Sequence, residues 1–133
     1  MTHAEAVQAF LPASPFAGTL GLEVVAIGDD RAELRMPWRE EHATMGDVVH
    51  GGAVAALADT AGMAAAWADD GDEPRNGGAT VSLSVNYVAA ARACDLTAVA
   101  RAVRRGRSLC FVEIEVQGDE GVVATAHLVH RFA

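Results

Sequence analysis

A single carboxylate interrupts a long apolar stretch near the middle of the sequence. Asp59 is the only charged residue in the run GGAVAALADTAGMAAAWA, which spans 51–68. If the run is helical, the positions beside this acid on its face are apolar, among them Ala55 and Met63. Burying an ionised carboxylate is unfavourable, so the pattern favours a shielded general base or nucleophile. The alternative is a narrow stripe of the helix that faces solvent.

The residues at the start of the same run could bind a developing negative charge. His50-Gly51-Gly52 stands where backbone N–H groups would lie at the positive end of the helix dipole. Such donors could hold the oxyanion that forms when a carbonyl group is attacked. The alternative is that two glycines simply allow a tight turn into the helix, and three residues alone do not decide between these interpretations.

The spacing between the two features constrains how they could act together. Gly51 and Asp59 are eight residues apart, which is about 12 Å along one helix at about 1.5 Å per residue. One helix therefore cannot bring both residues to the same carbonyl group. Two antiparallel helices related by a twofold axis could pair Gly51 of one chain with Asp59 of another. If both residues are catalytic, we expect at least a homodimer with composite sites.

The elements that must position these residues follow from periodicity and turn signals. The alanine-rich composition of 51–68 predicts one long helix. A shorter helix is predicted before two prolines, and Gly28-Asp29-Asp30 predicts a hairpin turn. The predicted elements are a helix over 3–11, a hairpin of about 20–27 with 31–36, an irregular segment over 37–49, the helix over 51–68, and strands over 80–88, 95–103, 108–117 and 122–132.

This order of elements predicts the fold class. One face of a sheet of antiparallel strands must be covered, and the helix over 51–68 is the only predicted element long enough to do so. Small residues along that helix would let a curled sheet approach it closely. We therefore expect a single α+β domain over 1–133, with an antiparallel sheet wrapped around one central helix.

Composition narrows the class of function. The 133 residues are 51% hydrophobic and 21% charged, and the net charge of −8 disfavours binding to nucleic acid. Cys94 and Cys110 lack a CxxC spacing, so neither a disulfide framework nor a zinc site is predicted. On a strand, His127-x-x-His130 would place one histidine at the surface and pack the other, which does not make a metal site. With no apolar leader or membrane span evident, we expect a cytoplasmic protein that uses no metal or other cofactor.

Taken together, the motifs resemble those of hotdog-fold thioesterases of the phenylacetate-degradation (PaaI-like) branch. The similarity runs from about Gly21 to Phe132. The motifs that carry it, in chain order, are Gly46-x-x-x-His50-Gly51-Gly52, Leu57-Ala58-Asp59, Ala79-Thr80-Val81-Ser82-Leu83-Ser84-Val85-Asn86-Tyr87 and Arg104-Arg105-Gly106-Arg107. Each motif is short, and it is their order and spacing together that make the resemblance specific.

The resemblance implies hydrolysis of acyl-CoA thioesters by a hotdog domain. We expect a homodimer, with a dimer of dimers (a homotetramer) as the favoured assembly, and the sequence does not decide between the two. Asp59 would be the base that activates water, or the nucleophile, and the N–H of Gly51 would hold the oxyanion. His50 would position the thioester, and Thr80 would orient the attacking water. Contacts with the substrate are implied for Thr44, Gly52, Ser82, Tyr87, Arg104, Arg105, Gly106 and Arg107.

One position and one segment depart from the family pattern, and the arginine-rich segment 101–107 supports two interpretations. Thr44 stands where this branch often has asparagine, and Val88-Ala89-Ala90-Ala91 replaces a segment that usually contains proline. The segment 101–107 holds four of the ten basic residues, and it could anchor the phosphates of coenzyme A. The alternative is a solvated hairpin tip whose charges keep strand edges apart.

Two other functions stay open on the sequence alone. A hotdog enoyl-CoA hydratase or dehydratase would also pair a histidine with an acid, although an acid nine positions after His50 suits thioester hydrolysis better. A non-catalytic acyl-CoA binding module is favoured by the threonine at position 44. A serine hydrolase is not supported, because the chain has no GxSxG turn. The sequence leaves the acyl group open between aryl-acetyl and short to medium aliphatic chains.

Overall fold

The computed structural model describes residues 2–69 and 77–133. In these ranges the helices are α1 (His3–Ala13), α2 (Pro15–Leu20) and α3 (Gly51–Trp67), with a 3₁₀ turn at Glu40–His42. The strands are β1 (Glu23–Gly28), β2 (Arg31–Met36), β3 (Ala43–Met45), β4 (Val48–Val49), β5 (Ala79–Tyr87), β6 (Leu96–Arg105), β7 (Leu109–Gly118) and β8 (Gly121–Arg131). The predicted long helix and the four strands that follow it are confirmed.

Six of the strands form one antiparallel sheet, in the order β1-β2-β6-β7-β8-β5. Buried and exposed residues alternate along β7 and β8, so one face of the sheet turns toward α3 and the other turns away. The helix contacts β2, β5, β6, β7 and β8, and the sheet curls around it. The α+β architecture predicted from the order of elements is therefore confirmed.

Small residues let the sheet approach α3 closely. Leu57, Ala58 and Ala61 are fully buried in the core that the helix and sheet share. At Gly62 the fit is tight, because an added Cβ would lie only 2.7 Å from Cδ1 of Leu128 on β8. This close packing fixes the rotation of α3 against the sheet, and with it the direction in which Asp59 points.

The C-terminal end of α3 is held by an arginine from β6. The guanidinium of Arg105 donates hydrogen bonds to the carbonyl oxygens of Ala65 and Ala66 at 3.2 and 2.5 Å. It also donates to Oδ1 of Asp30, in the β1–β2 turn, at 2.7 Å. The last carbonyls of a helix lack intrahelical partners and carry partial negative charge, so a cation there stabilises the helix end.

Two segments differ from the sequence expectation. α1 continues through Pro12 to Ala13, because a proline in the last turn removes only one hydrogen bond and Ser14 then closes the helix with its N–H on the carbonyl of Phe10. The segment 37–49, predicted to be irregular, contains the short β3–β4 hairpin, which turns at Gly46 with φ of +58°. Among the helices that the structure describes, none has the length and apolar content needed to span a bilayer.

Candidate active site

His50 caps the start of α3 with its own ring. Its Nδ1 accepts a hydrogen bond from the backbone N–H of Gly52 at 2.7 Å. Because Nδ1 accepts, the neutral ring carries its proton on Nε2, and that N–H can donate to a ligand. The backbone N–H of His50 in turn donates to the carbonyl of His42 at 2.7 Å, which fixes the turn into the helix.

The same cap decides which glycine can serve as an oxyanion donor. The N–H of Gly52 is engaged by His50, so it contributes to the cap and is not available to a substrate. The N–H of Gly51 has no acceptor among residues 2–69 and 77–133. Since N–H groups in the first helical turn lack intrahelical partners, Gly51 is the candidate donor of the pair.

Tyr87 lies against the start of the helix. Its hydroxyl donates a hydrogen bond to the carbonyl of Gly51 at 2.8 Å. A Cβ added to Gly51 would meet the Tyr87 ring at 3.3 Å, which is tighter than ordinary van der Waals contact. Glycine is therefore the residue that lets β5 close onto this end of α3, and Tyr87 belongs to the wall of the site predicted around Gly51.

Asp59 is paired with the threonine predicted to act beside it. The hydroxyl of Thr80 donates a hydrogen bond to Oδ1 of Asp59 at 2.7 Å. Both residues are half-buried, so the acid lies neither in the sealed core nor on a fully exposed stripe. The bond orients the carboxylate and leaves Oδ2 to accept a proton from another molecule.

A bulge in β5 is what turns Thr80 toward the helix. The pairing of β5 with β8 shifts between Thr80 and Ser82. Thr80 pairs with His130 and Leu83 pairs with Leu128, both on the helix-facing side, whereas Ser82 pairs with the outward Val129. One extra residue thus changes the side-chain alternation of the strand. Ser82, predicted to contact the substrate, lies exposed on the face of the sheet that turns away from α3, and its contact with the substrate stays a prediction.

A buried histidine lies on the strand next to Thr80. His130 is only 1% exposed, and its Nε2 donates to the carbonyl of Gly77 at 3.1 Å. Burial lowers the pKa of His130, and the carbonyl of Gly77 and the charge of Asp59 oppose that shift only in part. His127 is exposed, so the expected split between one surface and one packed histidine is confirmed. In the described ranges, no group of three or more His, Cys, Asp or Glu side chains is placed to hold a metal ion.

The two halves of the site lie at different points of α3. Gly51 is the first residue of the helix and Asp59 lies eight residues further on, about 12 Å along its axis. β5 reaches both points, with Tyr87 at the first and Thr80 at the second. Within one chain, the candidate oxyanion donor and the carboxylate are therefore not brought to the same position.

The arginine-rich segment 101–107 divides into different roles. Arg105 is hydrogen-bonded to the end of α3 and to Asp30, and its side chain is mostly buried, so its contact with the substrate stays a prediction. Arg101 forms an ion pair with Glu113 on the outer face of the sheet. Arg104 and Arg107 are exposed, on β6 and in the turn that follows Gly106. These two arginines are the ones that could reach the phosphates of a ligand.

A cavity of about 660 Å³ adjoins the Asp59–Thr80 pair. It lies between α1, α3 and the ends of β5 and β8. Its lining residues come from four separate elements, so no local pattern marks them. They are Ala6, Ala9, Phe10, Met63, Trp67, Gly77, Gly78, Ala79, Thr80 and His130.

Thr44, which was predicted to contact the substrate, lies exposed on the β3–β4 hairpin that leads into His50.

Comparison with known proteins agrees with this geometry. The thioesterase superfamily matches residues 46–125, which include His50, Gly51, Asp59, Thr80 and Tyr87. A protein of Halobacterium salinarum named "Putative esterase" is 34% identical over 113 residues, covering 83% of this chain and 74% of that protein.

Solved structures show the same fold. A conserved protein from Pseudomonas aeruginosa has a TM-score of 0.81 and 30% identity, covering 90% of this chain and 94% of its own. A mutant of the phenylacetic acid degradation protein PaaI from Thermus thermophilus has a TM-score of 0.78 and 26% identity, covering 90% of this chain and all of its own. The chain therefore belongs to the thioesterase superfamily and has the hotdog fold of its PaaI-like members.

Proposed function

We propose that this protein hydrolyses acyl-CoA thioesters to a free acid and coenzyme A at a site shared by two copies of the chain. The observation that carries the proposal is the hydrogen bond from Thr80 to Asp59, which orients a carboxylate at the mouth of a mostly apolar cavity. Membership of the thioesterase superfamily supports thioester hydrolysis as the reaction class. Relatives named as esterases support the same class.

The chemical steps follow from the donors and acceptors available. The substrate carbonyl lies at the start of α3, where its oxygen accepts the N–H of Gly51. Oδ2 of Asp59 takes a proton from water, and the resulting hydroxide attacks the carbonyl carbon. The tetrahedral intermediate then breaks its C–S bond, and the proton held by Asp59 passes to the departing sulfur. Atoms balance as one water consumed for one acid and one thiol released.

Two groups beside the reacting atoms have positioning roles. Thr80 fixes the rotation of the carboxylate and, through its hydroxyl oxygen, can accept a hydrogen bond from the attacking water. His50 directs its Nε2–H away from the cap, where it can donate to the thioester end of the substrate. Both arrangements support general-base catalysis, in which Asp59 stays free of a covalent bond to the acyl group.

In this proposal a partner copy of the chain brings the oxyanion donor and the carboxylate to the same carbonyl group. Gly51 and Asp59 lie about 12 Å apart on one helix, so a second helix must bring its own copy of one of them to the carbonyl. β5 is an edge strand in the described sheet and exposes Val81 and Tyr87. An edge of this kind can pair with the same strand of another copy about a twofold axis.

The arginines on the outer surface complete the proposed substrate site. Arg104 and Arg107 are exposed on a chain with a net charge of −8. Guanidinium groups bind phosphate through paired hydrogen bonds, which suits the pyrophosphate and 3′-phosphate of coenzyme A. In this proposal Arg105 only holds the end of α3 in place.

The decisive test is thiol release from a panel of acyl-CoA esters by the purified protein. Asp59→Asn should lower kcat by about 10²–10⁴-fold, because a positioned general base contributes on that order. Asp119→Asn, which alters an exposed acid in the β7–β8 turn, is the matched control and should keep wild-type rates. Near wild-type turnover by Asp59→Asn would remove this carboxylate from the mechanism.

The same panel separates the rival functions. An enoyl-CoA hydratase or dehydratase would consume the double bond of an enoyl-CoA without releasing thiol. A binding module would show saturable binding of an acyl-CoA with hydrolysis at the background rate. In single-turnover hydrolysis in ¹⁸O-labelled water, ¹⁸O found in the enzyme would show a covalent anhydride that water attacks at the carboxyl carbon of Asp59.

A further inference from the structure

The cavity beside Thr80 lies along one face of α3, and we refer to it below as the channel. Asp59, Met63 and Trp67 follow one another at intervals of four residues, so their side chains line the same face of the helix. Met63, Trp67 and Thr80 all line the cavity, and Thr80 is bonded to Asp59. The cavity therefore lies beside the carboxylate and reaches Trp67, about two helical turns beyond Asp59 on α3.

α1 packs against the end of α3 at the far end of this channel. The ring of Phe10 meets the ring of Trp67 edge-to-face, with centroids 5.3 Å apart and planes at 78°. At the start of α1, Nδ1 of His3 lies 2.7 Å from the carbonyl oxygen of Trp67, which ties the two helices together. Aromatic pairs of this geometry are favourable and rigid. Phe10 and Trp67 thus form a fixed end wall.

The lining of the channel favours an apolar occupant. Phe10, Met63 and Trp67 are the large apolar side chains of the lining, and Ala6, Ala9 and Ala79 are small apolar ones. Among the ten lining residues there is no Asp, Glu, Lys or Arg, and the pKa of the lining histidine, His130, is lowered by burial. A charged group at the far end of an acyl chain would therefore lose its hydration without finding a partner.

We propose that this channel receives the acyl chain of the thioester and that the wall formed by Phe10 and Trp67 limits the accepted length to a medium aliphatic chain. The inference rests on the proposed function, because it takes Asp59 as the point where the thioester carbonyl lies. From Asp59 to Trp67 is eight residues, or about 12 Å along the helix. With C–C bonds of about 1.5 Å at about 111°, an extended chain of roughly eight to ten carbons has that length.

Of the two residues that form the wall, Trp67 lies inside the segment that the superfamily matches and Phe10 lies before it. The superfamily match covers 46–125, whereas Ala9, Phe10 and the rest of α1 precede it. The cavity volume of about 660 Å³ is within the range of about 300–1,000 Å³ that is common for small-ligand sites. Acyl selectivity is therefore assigned in part to α1, which precedes the matched segment.

In the experiment, a substitution on α1 fills part of the channel, and kcat/KM is then measured as a function of acyl-chain length. Ala9 lines the cavity yet has an exposed side chain, so Ala9→Phe adds volume there without replacing a core residue. Gln8→Phe adds the same ring to the neighbouring exposed position, which does not line the cavity, and is the matched control. kcat/KM is measured for acetyl-, butyryl-, octanoyl-, decanoyl- and palmitoyl-CoA, with phenylacetyl-CoA as the aromatic comparison.

The expected wild-type profile peaks at octanoyl- and decanoyl-CoA and falls at palmitoyl-CoA. Ala9→Phe should lower kcat/KM for the two preferred esters by at least about tenfold, since even one methylene in a fitted pocket is worth about 10–200-fold. It should change the value for acetyl-CoA by less than about twofold, and Gln8→Phe should keep the wild-type profile. Equal profiles for Ala9→Phe and Gln8→Phe, or a wild-type preference for phenylacetyl-CoA, would overturn the proposal.

A binding measurement keeps the inference separate from catalysis. The chain has two tryptophans, and Trp38→Phe leaves Trp67 as the only indole in the protein. In that background, a decyl thioether of coenzyme A should change the Trp67 fluorescence, whereas coenzyme A alone should not. Binding without this change overturns the proposed channel. If the thioether changes the fluorescence but no acyl-CoA is hydrolysed, the proposed thioesterase function is wrong, whereas the proposal that the channel binds the acyl chain is supported.

Discussion

The hydroxyl of Thr80 donates a hydrogen bond to Oδ1 of Asp59 over 2.7 Å, from strand β5 to helix α3. The two residues are 21 positions apart in the chain, and a β-bulge is needed to turn Thr80 toward the helix. Because a short hydrogen bond to an ionised oxygen is strong and directional, it fixes which carboxylate oxygen faces the cavity. The catalytic geometry therefore depends on the register of β5 against β8 as well as on α3.

Thr80→Val should lower kcat by about tenfold, because a hydrogen bond to a charged group is worth about 1.5–3 kcal/mol and the freed carboxylate can rotate. Thr80→Ser keeps the hydroxyl and should retain most of the activity. Steady-state thiol release measures both variants, and circular dichroism checks that both are folded. Equal activity of Thr80→Val and Thr80→Ser would show that the hydroxyl contributes nothing to turnover.

Subunit complementation tests whether the site is shared. Asp59→Asn keeps the helix start and loses the carboxylate, whereas Gly51→Val keeps the carboxylate and places a side chain against the Tyr87 ring, which a Cβ alone would meet at 3.3 Å. Each variant alone should be nearly inactive. Mixed by co-expression, they form mixed dimers with one intact site in two.

Random mixing should therefore restore about a quarter of the wild-type activity, since half of the dimers are mixed and each has one working site of two. The control is the same mixture made from two Asp59→Asn chains with different tags, which should stay inactive. If complementation yields no activity although mixed dimers can be isolated, the site lies within one chain.

Replacing Arg105 with glutamine should lower the stability of the fold, whereas the same replacement at Arg107 should weaken substrate binding. Arg105→Gln removes hydrogen bonds to Asp30 and to the end of α3, so it should lower the free energy of unfolding by ~1–3 kcal/mol, seen as a lower Tm. Arg107→Gln should leave the Tm unchanged and raise KM for acyl-CoA, more at low salt than at high salt. An increase in KM with Arg105→Gln at temperatures where it is folded would return this residue to the substrate site.

Arg105 and Arg107 lie in one short motif but have different surroundings, which shows that the sequence can predict local patterns and cannot predict long-range contacts. The acid in an alanine-rich helix and the histidine and glycines before it are local patterns, so Asp59, His50 and Gly51 could be predicted from the sequence. The partners of Arg105 lie up to 75 positions away, at Asp30, and the pattern of 104–107 contains no trace of them. A cluster of like charges looks the same whether its members bind phosphate or cap a helix.

Two other features could not be predicted from the sequence: the direction in which Thr80 points, and the contact between Phe10 and Trp67 at the end of the cavity. A strict alternation along β5 would put Thr80 and Ser82 on one face, and the bulge that separates them has no glycine to mark it. Phe10 and Trp67 are 57 positions apart and meet only because α1 folds over the end of α3. Contacts between distant elements depend on packing, which periodicity does not specify.

Buried histidines should make the protein sensitive to mild acid. Burial lowers the pKa of both His42 and His130 below the ordinary value of 6.5. At pH values well above 6.5 both rings are neutral in the folded and unfolded states, so their titration does not change the stability there. As the pH falls below 6.5, the unfolded chain takes up protons that the folded chain refuses, and the free energy of unfolding decreases.

The decrease continues until the pH passes the lowered pKa in the folded state, with a slope of at most about 1.4 kcal/mol per pH unit for each histidine. Carboxylates contribute in a separate, more acidic window. Hydrogen bonds from Trp38 and Arg35 lower the pKa of Asp95 below 3.8, so the stability it adds is lost only as the pH falls below that value. Urea unfolding at a series of pH values resolves the two windows.

His130→Gln should make the slope below pH 6.5 shallower by up to one proton, because an amide of similar size does not titrate there. His127→Gln is the matched control, since His127 is exposed on the same strand and should leave the slope unchanged. The slope, rather than the stability at one pH, is the readout, so a variant that is weaker at every pH still gives an answer. Parallel curves for wild type and His130→Gln would mean that His130 is not kept neutral by burial.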